Sequence, residues 1–319
     1  MTRLESHIAE RSSDFETARA IAHAAEAHDG SAPVSDQAML AATQGERTLL
    51  LFTDAGDPDP VAFGIVGDGE VDLAVLPEAR GRGVGRAALS VLLETAGDEA
   101  AFLAWAHGVN PAAESLLTGA GFTPVRSLYR MALDPALLPD RGQDPLTLDV
   151  PPGFTLRPFD PAQTADAGVW VRANASAFAT HPEQGRITEA DFALICAEPW
   201  FDADDLLLLI SDAGADSGLE AGEAAGSTWI KTVRGETVET ELYAVGVRPE
   251  FAGRGIGRLL LEATLARMAQ HSPDRVSLYV DGENTRAVEL YERAGFTIDS
   301  RSRQWRRPPV SVPGATMDA

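Results

Sequence analysis

The chain has 319 residues, 45% hydrophobic and 23% charged, which fits an ordinary globular protein of two domains and excludes a disordered or fibrous one. A formal charge of −22 argues against nucleic acid or an anionic membrane surface as a partner, and an anionic ligand needs local donors that overcome the global field. The single Cys196 rules out an intrachain disulfide framework and the first residues lack an apolar signal region. LLLLI at 206–210 is too short to span a bilayer, so a cytoplasmic protein is expected.

In the first half, RTLLLFT (47–53), PVAFGIVG (60–67) and EVDLAVL (70–76) read as three successive strands. A helix opens at Gly85, AFLAWA (101–106) reads as a strand and AAESLLTGA (112–120) as a helix, and a strand follows Gly121-Phe122. The Pro- and Asp-rich stretch 134–153 has neither periodicity and reads as a linker. In the second half, the strand FTLRPF (154–159) precedes helical segments that run to about Cys196. Then DLLLLIS (205–211), STWIKTV (227–233) and TELYAVGV (240–247) read as strands, with a long polar loop at 211–226. The helix IGRLLLEATLARMA (256–269), the strand RVSLYV (275–280), the helix TRAVELYERA (285–294) and a last strand complete the order. Strands first and alternation later predict an α/β fold with a mixed sheet in each half. The expected boundaries are a domain at 1–140, a linker at 141–153, a second domain at 154–307 and a disordered tail at 308–319.

One phrase is written twice. VLPEARGRGVGR (75–86) and VRPEFAGRGIGR (247–258) share eight of twelve positions, and NPAAESLLTGAGF (110–122) shares six of thirteen with NTRAVELYERAGF (284–296). Two long copies in one order mark a domain duplication. Each phrase lies between an apolar strand and an amphipathic helix, where glycines at 253, 255 and 257 let several N–H groups point at one spot beside a helix N-terminus. That is a cradle for a diphosphate, with Arg254 and Arg258 as outer clamps. No Lys-Ser/Thr follows, as a Walker loop requires, and Arg86 and Arg258 stand where the dinucleotide motif needs its third glycine. The plain alternative is a tight strand-to-helix turn with solvated arginines.

The unit of strand, Arg/Gln-x-x-Gly-x-Gly/Ala and helix, followed by a strand, an Asn-capped helix and AGF, resembles the GNAT superfamily of N-acetyltransferases. The resemblance covers nearly the whole chain and implies two tandem GNAT domains, each a mixed, mostly antiparallel sheet flanked by helices. It implies acetyl-CoA as co-substrate and no metal. In the second copy it places acetyl-CoA on Val245, Gly246, Val247, Ala252, Gly253, Arg254, Gly255, Ile256, Gly257 and Arg258, then on Asn284, Thr285, Arg286, Ala287, Val288 and Glu289. In the first copy the matching positions are Leu73, Ala74, Val75, Gly81, Arg82, Gly83, Val84, Gly85 and Arg86. The family's Arg/Gln is Arg80 in the first copy and Ala252 in the second, so the loop alone does not identify the catalytic half.

Acetyl transfer to an amine needs a base, because a free α-amino group with a pKa of roughly 7.7–8 is largely protonated near neutrality. Glu239, Glu241 and Tyr243 share one strand face, and Glu241 is the glutamate nearer the glycine turn. The resemblance makes Glu241 the general base; the alternative is a solvated edge glutamate. Backbone N–H groups around Val245 to Val247 are expected to polarise the acetyl carbonyl if the strand splays from its neighbour. Tyr291, two helical turns after Asn284, matches the family's general acid; the alternative is a core tyrosine. The aligned residues in the first copy are Gly69 and Leu117, so only the second copy is expected to transfer acetyl.

The stretches HGVNPAAESLL, AFATHPEQG and EPWFD narrow the resemblance to tandem members that acetylate the cysteinyl amine of a glucosaminyl-inositol pseudo-disaccharide. The acceptor positions then fall on Asp36 (one carbon shorter than the family's Glu), Glu183, Lys231, Glu241 and Tyr279. The expected partner is a small-molecule amine, with no nucleic acid or membrane, and the expected state is a monomer. Two alternatives stay open: a GNAT enzyme for another amine, and a non-catalytic CoA-binding sensor.

Overall fold

The computed structural model describes residues 4–54, 58–97, 101–179, 184–213 and 218–309, and it divides into two compact units. One comprises residues 1–129, 281–283 and 300–319, and the other residues 130–280 and 284–299. The last strand of the chain is thus shared out between the two units, a division that does not follow the sequence repeat.

In the first unit, β1 (Leu4–Ile8), β2 (Thr48–Asp54), β3 (Pro60–Gly67) and β4 (Glu70–Val75) form an antiparallel meander, and β4 meets β5 (Phe102–Ala106) in parallel. The far side of β5 pairs antiparallel with residues 303–307 of β12 (Thr297–Arg307). Alternation along β2 sends Leu50 and Phe52 to one face, under α3 (Val84–Ala96) and α4 (Pro111–Gly119). Leu49 and Leu51 go to the other, under α1 (Ser12–Asp29) and α2 (Asp36–Thr43). The segments β1, α1 and α2 are absent from the sequence-based reading. Their signal is an Ala-rich run that buries Ala18, Ile21 and Ala25 at helical spacing and stops at Gly30, whose φ is 72°.

The second unit repeats the plan. β7 (Phe154–Pro158), β8 (Leu206–Ser211), β9 (Ala224–Arg234) and β10 (Val238–Val247) are antiparallel in that order, and β10 runs parallel to β11 (Arg275–Asp281). All six residues of β8 are buried because both its faces are covered, which explains the unbroken apolar run. Phe154, Leu207 and Leu209 pack under α7 (Ile256–His271), whereas Leu206, Leu208 and Trp229 pack under α5 (Asp166–Ala177) and α6 (Glu189–Cys196). Each buried Leu contributes roughly 1.5–3 kcal/mol of transfer free energy, so these two layers hold the sheet on which the site is built. Before β7, Leu148 and Val150 pack onto the layer under α7. After β11, α8 (Thr285–Arg293) leads into β12, and β6 (Thr123–Leu133) precedes the second repeat.

No helix among the described residues is long and apolar enough to cross a membrane, and no group of three or more His, Cys, Asp or Glu among them can hold a metal ion. Burial pushes the Cys196 thiol up to about 11, which makes it a poor nucleophile.

Candidate active site

In both copies the strand ends in a short 3-10 turn, Pro77–Ala79 or Pro249–Phe251, and the glycine phrase follows. Gly253 and Gly255 have φ of 82° and 83°, and a Cβ on either would meet no atom within 4 Å. The requirement for glycine is therefore conformational: a left-handed backbone is costly for any other residue. Among the described residues, none of the six amides from Gly253 to Arg258 donates to a backbone carbonyl, and Leu259 is the first to do so, at 3.0 Å to Gly255. Six open N–H groups thus gather at the positive end of a 16-residue helix.

The arginines act differently from the expectation. Arg254 lies over the Phe251 ring at 4.9 Å and Arg258 pairs with Glu262 at 2.8 Å, so neither side chain closes on the turn. Arg80 donates to Val75 O at 3.0 Å and grips Asp29 with both terminal nitrogens, at 2.7 and 2.9 Å. In the second copy Ala252 cannot do this, and Arg248 bonds Ala224 O at 2.7 Å and Glu223 at 2.8 Å instead. Both arginines brace the turn from the protein side.

Beyond the turn, the sheet opens. β10 pairs with β11 only from Glu239 to Leu242, and Tyr243 is an extra residue bulged out of the ladder with β9, which joins Leu242 to Ile230 and Ala244 to Trp229. Beyond Leu242, β10 has no ladder partner in β11 although β11 runs on to Asp281, so the two strands diverge and a gap opens beside Val245 to Val247.

Glu241 is the last outward carboxylate before that gap. Burial raises its pKa, and the charges of Lys231 and Arg130 oppose the rise. Lys231 is its cross-strand partner on β9, yet among the described residues Glu241 forms no ion pair within 4.0 Å. Tyr279 on β11 also senses the Glu241 charge, which together with burial raises its phenol. Arg130 is bonded to Asp299. Tyr291 is 6% exposed, its ring meets Phe296 edge-on at 6.0 Å, and burial pushes its phenol up to about 12. Its hydroxyl is not among the sealed side-chain atoms that lack a partner. Asn284 caps α8, its Oδ1 accepting from Ala287 N at 3.2 Å; this occupies the Ala287 amide and leaves those of Thr285 and Arg286 open. Val288 N returns to Asn284 O, and Glu289 pairs with Arg293 at 3.0 Å.

Residues 22–122 and 176–296 each match the acetyltransferase (GNAT) family. A mycothiol acetyltransferase from Clavibacter sepedonicus is 39% identical over 293 residues, 90% of each chain, and one from Kineococcus radiotolerans is 40% identical over 91% of this chain and 92% of its own. The chain belongs to the GNAT family, in its mycothiol acetyltransferase branch. A solved GCN5-related N-acetyltransferase from Sphaerobacter thermophilus, 24% identical, covers 98% of both chains with a TM-score of 0.67 and shares the fold.

As a GNAT enzyme, the protein is an N-acetyltransferase, and GNAT acetyltransferases use acetyl-CoA. The residues present fit that group: the open amides of Gly253–Arg258 suit a diphosphate, and the gap beside Val245–Val247 suits a narrow arm carrying the thioester. Ile256 and Val84 are buried and offer only their amides. In the first copy Gly81 and Gly83 have φ of 73° and 88° and α3 starts at Val84; Ala74 is buried, and Leu73 and Val75 flank it on β4. Arg82, Gly85 and Arg86 complete that turn and the first turn of α3.

The GNAT repeat also corrects one alignment. Counting from the glycine phrases sets Gly69 against Glu241, but that count ignores the bulge. On the ladders, Val75 pairs with Ala62 as Val247 pairs with Gly226, and stepping back along each places Glu70 opposite Gly67 where Glu241 stands opposite Lys231. The parallel partners agree: Leu103, paired with Glu70, lies seven residues before Asn110, and Ser277, paired with Glu241, lies seven before Asn284. Glu70 is therefore the counterpart of Glu241, and Trp105 that of Tyr279. The first copy does carry the carboxylate, and Arg47 binds it at 3.1 Å.

Of the acceptor positions, Lys231, Glu241 and Tyr279 lie on adjacent strands of one sheet. Asp36 begins α2, and Glu183 lies outside the described residues.

Proposed function

We propose that the second copy transfers acetyl from acetyl-CoA to the cysteinyl amine of cysteinyl-glucosaminyl-inositol, giving mycothiol, and that the first copy holds CoA without turning it over. The observation that carries this reading is Glu241: a partly buried carboxylate that forms no ion pair among the described residues, at the point where β10 leaves β11. The raised pKa brings it closer to that of the ammonium it must deprotonate, which strengthens it as a base.

In this reading Glu241 takes the proton, the amine nitrogen attacks the thioester carbon, and N–H groups of Val245–Val247 receive the oxyanion. The C–S bond then breaks, the electron pair leaves on sulfur, and the nitrogen gives up its second proton, by way of solvent, to the thiolate. A phenol at about 12 is a weaker acid than a thiol at ~8.5, so Tyr291 serves the departing thiolate as a hydrogen-bond donor, with complete proton transfer uphill. Lys231 and Tyr279 flank Glu241 and offer donors to the acceptor's oxygens. In the first copy Glu70 is bonded to Arg47 and Leu117 replaces the phenol, which supports a silent site.

The test is a mass-spectrometric assay with acetyl-CoA and a panel of amines that includes cysteinyl-glucosaminyl-inositol, an aminoglycoside and a peptide N-terminus. The expected result is one acetyl group on the cysteinyl nitrogen and at least a hundredfold preference in kcat/KM. Equal use of the other amines would remove the assignment of the acceptor.

A further inference from the structure

The EPWFD stretch (198–202) has no role in the chemistry derived so far, yet its tryptophan sits beside it. The Lys231 ammonium lies 5.4 Å from the centre of the Trp200 ring. The same indole packs on Tyr243, the bulged residue, at 5.1 Å and on Trp229 at 5.7 Å. Lys231 and Glu241 are cross-strand partners, a placement in which a flexible lysine reaches an opposing carboxylate, but the ammonium and the carboxylate form no ion pair within 4.0 Å. The ammonium rests on an aromatic face instead.

We propose that Trp200 is a positioning residue that holds the Lys231 ammonium near Glu241 and off it, so that the carboxylate stays free to accept the acceptor's proton. The proposal rests on Glu241 being the base. The groups facing Glu241 are Lys231 from β9, Arg130 from β6, Tyr279 from β11 and Tyr243 from its own strand; Glu198 in turn faces Tyr243. Arg130 is already bonded to Asp299, which leaves Lys231 as the cation able to close on the carboxylate.

The first copy is an internal control. The place of Lys231 is taken by Gly67, where an added Cβ would come within 3.2 Å of Arg47 Cγ. Arg47 crosses that space and bonds Glu70 at 3.1 Å and Asp72 at 2.7 Å. A cation that reaches the carboxylate leaves it paired, in the copy that lacks the phenol.

The experiment measures kcat/KM against pH for Trp200→Leu, Lys231→Met and the double variant, with folding checked by thermal melting. A cation in contact lowers a carboxylate pKa, so in Trp200→Leu the acid limb should move down by about one pH unit and kcat should fall about tenfold. Lys231→Met should move the limb up, and adding Trp200→Leu to it should then change nothing. An acid limb unmoved in folded Trp200→Leu, or one that still moves in the Lys231→Met background, overturns the proposal. If Trp200→Leu does not fold, Trp200→Gln is read by the same two comparisons. Failure of the underlying reading looks different: Glu241→Gln would keep both its turnover and its acid limb.

Discussion

Glu241 and Glu70 occupy the same position in two copies of one fold, in opposite states. Glu70 is bonded to a guanidinium at 3.1 Å, whereas Glu241 faces its lysine across the strands without an ion pair within 4.0 Å. The difference arises one strand away, where Gly67 leaves room for Arg47 and Lys231 is drawn to Trp200. Duplication kept the scaffold and changed which charge the carboxylate meets.

Replacing Glu241 with Gln should lower turnover by about 10²–10⁴-fold and leave acetyl-CoA affinity unchanged. It should also stabilise the protein. Burial raises the folded-state pKa, so the ionised carboxylate disfavours the fold increasingly as pH climbs from the unfolded value of ~4.3 through the folded one. The gain should appear in melts at pH 7 and vanish near pH 4.

Tyr291→Phe should cut kcat while shifting the melting midpoint little, because the ring keeps its edge contact with Phe296 and only the hydroxyl is lost. A phenol held at about 12 stays protonated through the working range, so Tyr291 should produce no descending limb below about pH 11. A pH–rate profile of the parent chain reads this directly.

Gly255→Asp should raise the KM for acetyl-CoA more than tenfold, since the carboxylate would meet the diphosphate at the open amides. The left-handed φ of 83° adds a folding cost of roughly 1–2 kcal/mol, partly offset by aspartate's aptitude for a helix N-cap. Kinetics at varied acetyl-CoA, alongside a melt, separate the two effects.

Glu70→Gln should leave turnover within about twofold, although Glu70 is the counterpart of the proposed base. Its side chain is 47% exposed, so losing the Arg47 contact should cost no more than about 1 kcal/mol. A large loss of activity would contradict a silent first copy.

Arg47→Met should destabilise the first unit by about 3–5 kcal/mol, because Asp72 would remain buried without its partner. Burial already raises the Asp72 pKa against the pull of Arg47. Urea unfolding of Arg47→Met beside Arg47→Met/Asp72→Asn should show the second substitution recovering part of the loss.

Much of this was legible along the chain. The strands and helices after each glycine phrase emerge from apolar runs of period two or 3.6, as in β11 and α3, and lie close to their expected bounds. The turn that gathers six amides was legible too, because only glycine relieves a left-handed backbone and its spacing survives in both copies. The arginines were not: Arg254 and Arg258 look like ligand clamps in sequence, whereas the fold lays one over Phe251 and pairs the other with Glu262.

Sequence alone determined the duplication and the family, since these follow from order and spacing, and the family resemblance pointed to Glu241 and Tyr291 as the proposed base and acid. The tertiary structure decided which residues correspond and which charges touch. One extra residue at Tyr243 leaves no mark in composition, yet it shifts the pairing and moves the counterpart of Glu241 from Gly69 to Glu70. Whether a cation binds a carboxylate or rests on an indole depends on side chains from elements far apart in the chain, and local periodicity carries no record of that choice.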